Sequence, residues 1–451
     1  MPYEPFRYQT AGELQAAAEA LGVSLPLAAD TAVLCTSVRF AGMTLPNRLG
    51  TAPMEGADAL PNGAPSELTA RRYIRNAEGG SALVWFEAVC MTGDGRSSAG
   101  QLLLNSDTLD AFKRLTERVK EAGLRANGYA PLLVMQVNHS GRYANPGGKP
   151  APKIAYRHPY LERFRPASDA DIVSDDYLRK LEEKYGEAAA LAKKAGFDAA
   201  DIKACHGYLS AELLSALPRP GAYGGSYENR TRFLKNAVAA ALPHADAGFF
   251  ITARIGIYDG YPESYGFGAA GKDDPAPDYT EPIRLLGELH ERYGLAAVNL
   301  TMGNPYVTTH VTRPFDRGMY DPPEHPLTGI ARMIDGIAAV KRAVPGLTVY
   351  ASAPSYLRQF ADLFTAGAVE EGRCDGMLFG RLSFADPDFA NEILKTGRLD
   401  PKHVCLTSGK CGDLIRSHYP TGCAVRDTQT YLPYYRQYLA GRAALPENFR
   451  G

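Results

Sequence analysis

Eight short apolar runs, separated for the most part by helical patterns, constrain the fold of this 451-residue chain more than any other feature of it. The runs cover residues 49–53, 82–88, 131–137, 197–202, 249–255, 296–300, 347–351 and 376–379. Between them, residues 107–122, 176–195, 228–241 and 355–366 carry apolar positions at helical spacing. Eight strands with intervening helices is the arithmetic of an α/β chain folded as a (β/α)8 TIM barrel, not of an open doubly wound sheet. No G-x-G-x-x-G follows the first run, so a Rossmann dinucleotide site has no support.

The barrel leaves two extensions, so the expected division is residues 1–35, a barrel of 36–400, and a tail of 401–451. A helix is expected over 11–21, with Thr10 as N-cap and Glu13 at its third position. The long segments 144–175, 256–280 and 303–327 follow strands and are expected over the C-terminal mouth. Tyr258, Tyr261, Tyr265 and Phe267 are expected to line that mouth.

Acidic and basic residues number 50 and 49, a balance without the footprint of a nucleic-acid partner. Seven scattered cysteines suit reduced thiols and a cytoplasmic setting rather than a disulfide framework. No run has the length of a membrane span, and the first residues lack an apolar signal core.

The densest chemistry ends the fourth run, in Asp201-Ile-Lys-Ala-Cys-His206-Gly-Tyr208. There Lys203, His206 and Tyr208 come together, and Gly207 permits a sharp turn. Catalytic residues of such barrels sit at C-terminal strand ends. Cys205 reads as a small apolar filler turned away from that trio.

Several strand ends together resemble one family. The pieces are Ala52-Pro53-Met54, Glu87-Ala88, Gln136-Val-Asn-His139, His206-Gly-Tyr208, Tyr223-Gly-Gly-Ser-Tyr-Glu-Asn-Arg230, Ile251-Thr-Ala-Arg254 and Gly380-Arg381. In this order they are similar to the Old Yellow Enzyme group, FMN-dependent NAD(P)H oxidoreductases on a (β/α)8 barrel. The nearest branch is that of 2,4-dienoyl-CoA reductase and bile-acid-type enoate reductases, without their FAD and NAD domains.

The resemblance implies roles by position. Pro53, Met54, Ala88, Gln136, Arg254, Ala353, Gly380 and Arg381 would hold FMN, with Arg254 by its anionic edge and Arg381 on its phosphate. Tyr208 would donate a proton, and His206 would hold the substrate carbonyl. Lys203 stands where histidine is common, and two readings stay open for it: polarising the carbonyl, or forming an ion pair with a neighbouring carboxylate. The implied activity is NADH- or NADPH-driven reduction of an activated C=C bond in a hydrophobic enone or enoate. Whether the protein is a homo-oligomer, or takes electrons from a separate donor, stays open.

Four positions depart from the family pattern. Glu55 follows Pro53-Met54, where a carboxylate opposes negative charge on a reduced flavin. Pro354 deprives the seventh strand's phosphate loop of an N–H, shifting that duty to other amides and Ser352. The sixth strand offers no clear second relay histidine, leaving Tyr306 or His310. Finally, Cys405, Cys411 and Cys423 are a poor cradle for an iron-sulfur cluster, leaving free thiols or a zinc site with His403 or His418. Rival functions on the same residues are a flavin-dependent dehydrogenase or demethylase, a lyase forming a Schiff base on Lys203, and a flavin binder without turnover.

Overall fold

A computed structural model describes residues 5–262, 264–272, 274–318 and 320–443; residues 1–4 of the expected N-terminal extension and 444–451 of the tail lie outside them. A short antiparallel hairpin, β1 (Val38–Phe40) and β2 (Met43–Leu45), precedes eight parallel strands. These are β3 (Leu49–Thr51), β4 (Leu83–Cys90), β5 (Leu132–Asn138), β6 (Ala199–Ala204), β7 (Phe250–Gly256), β8 (Ala297–Thr301), β9 (Thr348–Ser352) and β10 (Gly376–Phe379). They pair in chain order, and β10 closes onto β3. The expected TIM barrel is therefore the observed fold, and each expected strand overlaps one of the eight.

Most strands carry apolar residues on both faces because each is covered twice, by the barrel interior and by the outer helices. Inside, Trp85, Leu83, Val134, Ala199, Ala297, Tyr350 and Leu378 fill the lower barrel. Phe40 of the hairpin packs edge-on against Trp85 and Tyr350, with ring centroids 6.3 and 5.3 Å away, and so plugs the N-terminal end. Outside, helices such as Leu109–Asn127, Asp175–Lys194 and Tyr227–Ala241 cover the alternate strand residues. Their starts obey local chemistry: Ser174 and Ser226 accept N–H bonds from Tyr177 and Asn229, three residues on. The expected helix over 355–366 divides into a 3-10 segment, Pro354–Phe360, and an α-helix, Ala361–Glu370.

The N-terminal helix, Ala11–Ala20, is capped by Thr10, which accepts from Glu13 N at 3.1 Å. The Glu13 carboxylate reaches Gln9 N rather than the N-cap amide. The tail folds back over the mouth. Its helices are Lys410–Arg416 and Thr428–Ala443. Asp427 bridges Arg71 and Arg75 at 2.7 and 2.8 Å, and Thr421 N donates to Gly56 O at 2.7 Å. Among the described residues no helix is long and apolar enough to cross a membrane.

Beneath β3 and β4, Arg72 pairs with two buried carboxylates, Asp58 at 2.6 Å and Glu87 at 2.7 Å. Burial raises the Glu87 carboxyl to about 7 against the pull of Arg72. Arg72→Ala leaves both acids without their cation, and the expected loss is about 3–5 kcal/mol in urea unfolding.

Candidate functional site

The C-terminal ends of the strands surround a cavity of about 420 Å³. All eleven expected site residues line it: Pro53, Met54, Ala88, Gln136, Lys203, His206, Tyr208, Arg254, Ala353, Gly380 and Arg381. Four of them are held by features of the strands themselves.

Asp201 lies inside the barrel one turn of pleat below Lys203 and is fully buried. Its carboxylate accepts from Trp85 Nε1 at 2.7 Å, Gln136 Nε2 at 2.6 Å and Arg254 N at 2.5 Å. Burial nevertheless raises it to about 6. One amide N–H of Gln136 is thereby tied down, leaving the rest of its amide for the cavity. The Arg254 guanidinium has no hydrogen bond or ion pair among the described residues, and its Nε is a buried donor without a partner. A cation so placed awaits an acceptor.

After β6 the chain reverses through two left-handed residues, His206 at φ 67° and Gly207 at φ 69°. A Cβ on Gly207 would stand 2.2 Å from Asn304 Nδ2, so side-chain bulk is excluded there as well as the conformation. The turn brings His206 and Tyr208 to the same cavity. His206 Nε2 is buried without a partner. Burial first, then Arg254, Lys203 and Arg313, hold its imidazole well below the ordinary range and therefore neutral.

Tyr208 bonds the Tyr306 hydroxyl at 2.8 Å, and burial holds its phenol well above 10. Lys203 Nζ lies 3.9 Å from the Tyr208 ring centroid. No carboxylate forms an ion pair with it among the described residues, so the ion-paired reading of Lys203 is not what the structure adopts. Burial lowers its amine to about 8. Glu55 faces the same cavity; its carboxylate accepts the Ser97 hydroxyl, and burial raises its pKa above the ordinary carboxylate value.

Several expectations fail here. Tyr258, Tyr261, Tyr265 and Phe267 do not line the cavity: Tyr258 donates to Pro275 O, Tyr261 packs on His158 and Tyr160, and Phe267 is fully buried. The loop 256–280 packs behind the wall, because its rings find partners within the loops. His310 bonds Tyr320 and is not in the lining, whereas Tyr306 is. Ser352 faces the cavity but shares its hydroxyl with Asn299 at 3.0 Å. Cys205 is buried outside the lining, with its thiol raised to about 11 by burial. The tail thiols do not gather with a histidine into one ligand set among the described residues; His403 pairs instead with Glu392, and His418 bonds Asn145.

The unexpected lining residues come from two places. Tyr143 directly follows the β5 turn and stacks on Tyr306 with centroids 3.8 Å apart, while Asn304 Nδ2 donates to the Tyr143 hydroxyl at 2.9 Å. The strand-end rule was sufficient to find Tyr143. Cys411, Ile415, Arg416 and Thr421 form the other part, all from the tail, which no strand pattern signals.

Residues 34–273 match the model of the NADH:flavin oxidoreductase / NADH oxidase family. An NADPH dehydrogenase of Bacillus velezensis is 32% identical over 220 residues, which are 48% of this chain and 62% of that protein. The match thus spans under two thirds of that relative. In fold, the chain is similar to a 2-naphthoyl-CoA reductase in complex with 2-naphthoyl-CoA, with a TM-score of 0.72 at 19% identity, covering 92% of this chain and 59% of that one. It is similar also to the Old Yellow Enzyme homologue of Zymomonas mobilis, with a TM-score of 0.62 at 21% identity, covering 87% and 98%.

The turn after β6 is the site's weakest tolerance. Gly207→Ala is expected to lower stability by roughly 1–3 kcal/mol in urea unfolding, from the left-handed φ and the contact with Asn304.

Proposed function

The chain belongs to the NADH:flavin oxidoreductase / NADH oxidase family, and from that premise we propose that it binds FMN and uses NADH or NADPH to reduce an activated C=C bond beside a carbonyl. The observation that carries this reading is the Arg254–His206–Tyr208 arrangement: a buried cation without a counter-ion, an imidazole nitrogen without a partner, and a protonated phenol, all facing one cavity.

The residues fit the cofactor. Arg254 would face the negative pyrimidine edge of the ring, with Gln136, fixed by Asp201, beside it. Pro53, Met54, Ala88, Ala353 and Gly380 would supply close, mostly backbone surface; a Cβ on Gly380 would meet Met54 Sδ at 2.9 Å. Arg381 donates to Pro314 O at 3.0 Å and keeps the rest of its guanidinium for a phosphate. Bound FMN supplies reversible two-electron transfer through its N5.

The chain's own residues do the remainder. His206, neutral, donates one hydrogen bond to the substrate oxygen, and the Lys203 ammonium adds positive charge where enolate charge develops. Tyr208 gives its proton to the α-carbon, and Tyr306, 2.8 Å away, is placed to replace it. The ammonium over the Tyr208 ring lowers the cost of the phenolate left behind. Burial raises the Glu55 carboxyl, which weakens its opposition to negative charge on the reduced ring. The stacked pair Tyr143 and Tyr306, with Phe164, favours a flat apolar substrate, of which the aryl thioester bound by the 2-naphthoyl-CoA reductase is one class. The same groups serve substrate oxidation in reverse.

Anaerobic stopped-flow with FMN-loaded protein tests the reading. NADH or NADPH should bleach the flavin absorption, and an enone should restore it. Tyr208→Phe is expected to slow the enone step by roughly 10²–10⁴-fold while leaving bleaching nearly unchanged, since only the former needs its proton. Bleaching without reoxidation by any enone or enoate would sink the C=C assignment.

Lys203 adds a pH signature. Its amine is charged below about 8 and loses the charge above it. Enone kcat/KM should therefore fall as pH rises through about 8, and Lys203→Met should flatten that limb at a lower plateau.

A further inference from the structure

Away from the cavity, where β10 hands over to the tail, three side chains converge. One ligand atom each from Asp386, Glu392 and His403 lies within 4.8 Å of the others, the one such group of histidine, cysteine and acids among the described residues. We propose that Asp386, Glu392 and His403 bind a divalent transition cation of the zinc or cobalt class, which fastens the root of the tail to the barrel.

The two carboxylates are each aligned by a bond that spares the inner oxygen. Asp386 Oδ1 accepts Asp388 N at 3.0 Å, while its Oδ2 is buried with no partner, on a residue only 6% exposed. Glu392 Oε2 accepts Asp400 N at 2.9 Å, leaving Oε1 beside His403 Nδ1. An orphaned buried carboxylate oxygen costs free energy that a cation would remove. A bond between His403 and Glu392 alone accounts for two of the three groups and leaves Asp386 unexplained.

The charge around the site points the same way. Asp388 and Asp400 add negative charge nearby, and neither Asp386 nor Glu392 has a lysine or arginine ion pair among the described residues. One imidazole with two carboxylates is a borderline-soft, oxygen-rich set suited to zinc or cobalt, with water completing the shell on the exposed His403 side. Asp386 ends the turn after helix Arg381–Ala385, Glu392 sits on helix Phe389–Thr396, and His403 precedes Val404, whose carbonyl accepts from Arg426 in the tail. The ion would thus brace the segment leading to Cys411, Ile415 and Arg416 of the cavity wall. The inference does not depend on the proposed reaction.

The test is titration of the chelator-stripped full chain with Co²⁺ and Zn²⁺, read by calorimetry, visible absorption and thermal midpoint. One equivalent should bind, with weak cobalt bands of nitrogen and oxygen ligation and a rise in midpoint. Glu392→Gln and His403→Ala should each weaken binding by at least about tenfold. The metal-free midpoint of His403→Ala should stay close to that of the parent, because its side chain is exposed. Cys411→Ser should leave metal uptake unchanged. No uptake, undiminished uptake in the Glu392→Gln/His403→Ala double variant, or intense sulfur-to-cobalt absorption lost with Cys411→Ser would each overturn the proposal. The ligand bands of the parent chain decide the question even if a variant fails to fold.

Discussion

A single buried carboxylate organises the upper barrel. Asp201 is the one acid on the interior face of β6, and it gathers an indole N–H from β4, an amide from β5 and the backbone N–H of Arg254 from β7. Three donors satisfy a charge that water cannot reach, and in doing so fix the register of four consecutive strands around it. Everything above that layer inherits its position: Gln136 is oriented by the bond, Arg254 is launched from the bonded amide, and Lys203 stands two residues further along the same strand. Below it, Trp85 and Phe40 seal the barrel floor with aromatic contacts. The polar upper half and the apolar lower half meet at this residue.

The structure also explains which parts of the site the sequence revealed. Strand period and strand-end position are local properties, so Arg254, Gln136, Tyr208 and Arg381 could be placed from short windows, and all line the cavity. The four aromatic residues of the 256–280 loop were misplaced because composition does not say which side of a loop a ring faces. Tyr258 and Tyr261 carry hydroxyls that find partners inside the loop layer, at Pro275 O and Asn304. Once satisfied there, they have no reason to turn to the cavity. Arg416 was invisible for the opposite reason: it reaches the cavity through long-range folding of the tail, which has neither a strand nor a period to announce it.

Lys203 shows how environment separates similar chemistry. A lysine beside acids on a surface would be a strongly hydrated ion. Here burial lowers its amine to about 8, and its nitrogen stands 3.9 Å from the centre of the Tyr208 ring. The phenol and the ammonium sit in one unit: burial keeps the first protonated, and the cation lies against its ring. Asp201 and Arg254, close by, contribute opposite fields to that unit.

The cavity wall is built from two sources with different histories of constraint. The barrel half grows out of strand ends that also close the sheet, so any change there is felt by the core. The tail half is joined to the barrel by Asp427 with Arg71 and Arg75, by His418 with Asn145 and by a backbone bond to Gly56, with Val404 at its root in the core. Reactivity and selection are therefore written on separable pieces of chain. A lineage of such proteins is free to drift in what it admits by rewriting the tail, while the chemistry beneath it stays as it was.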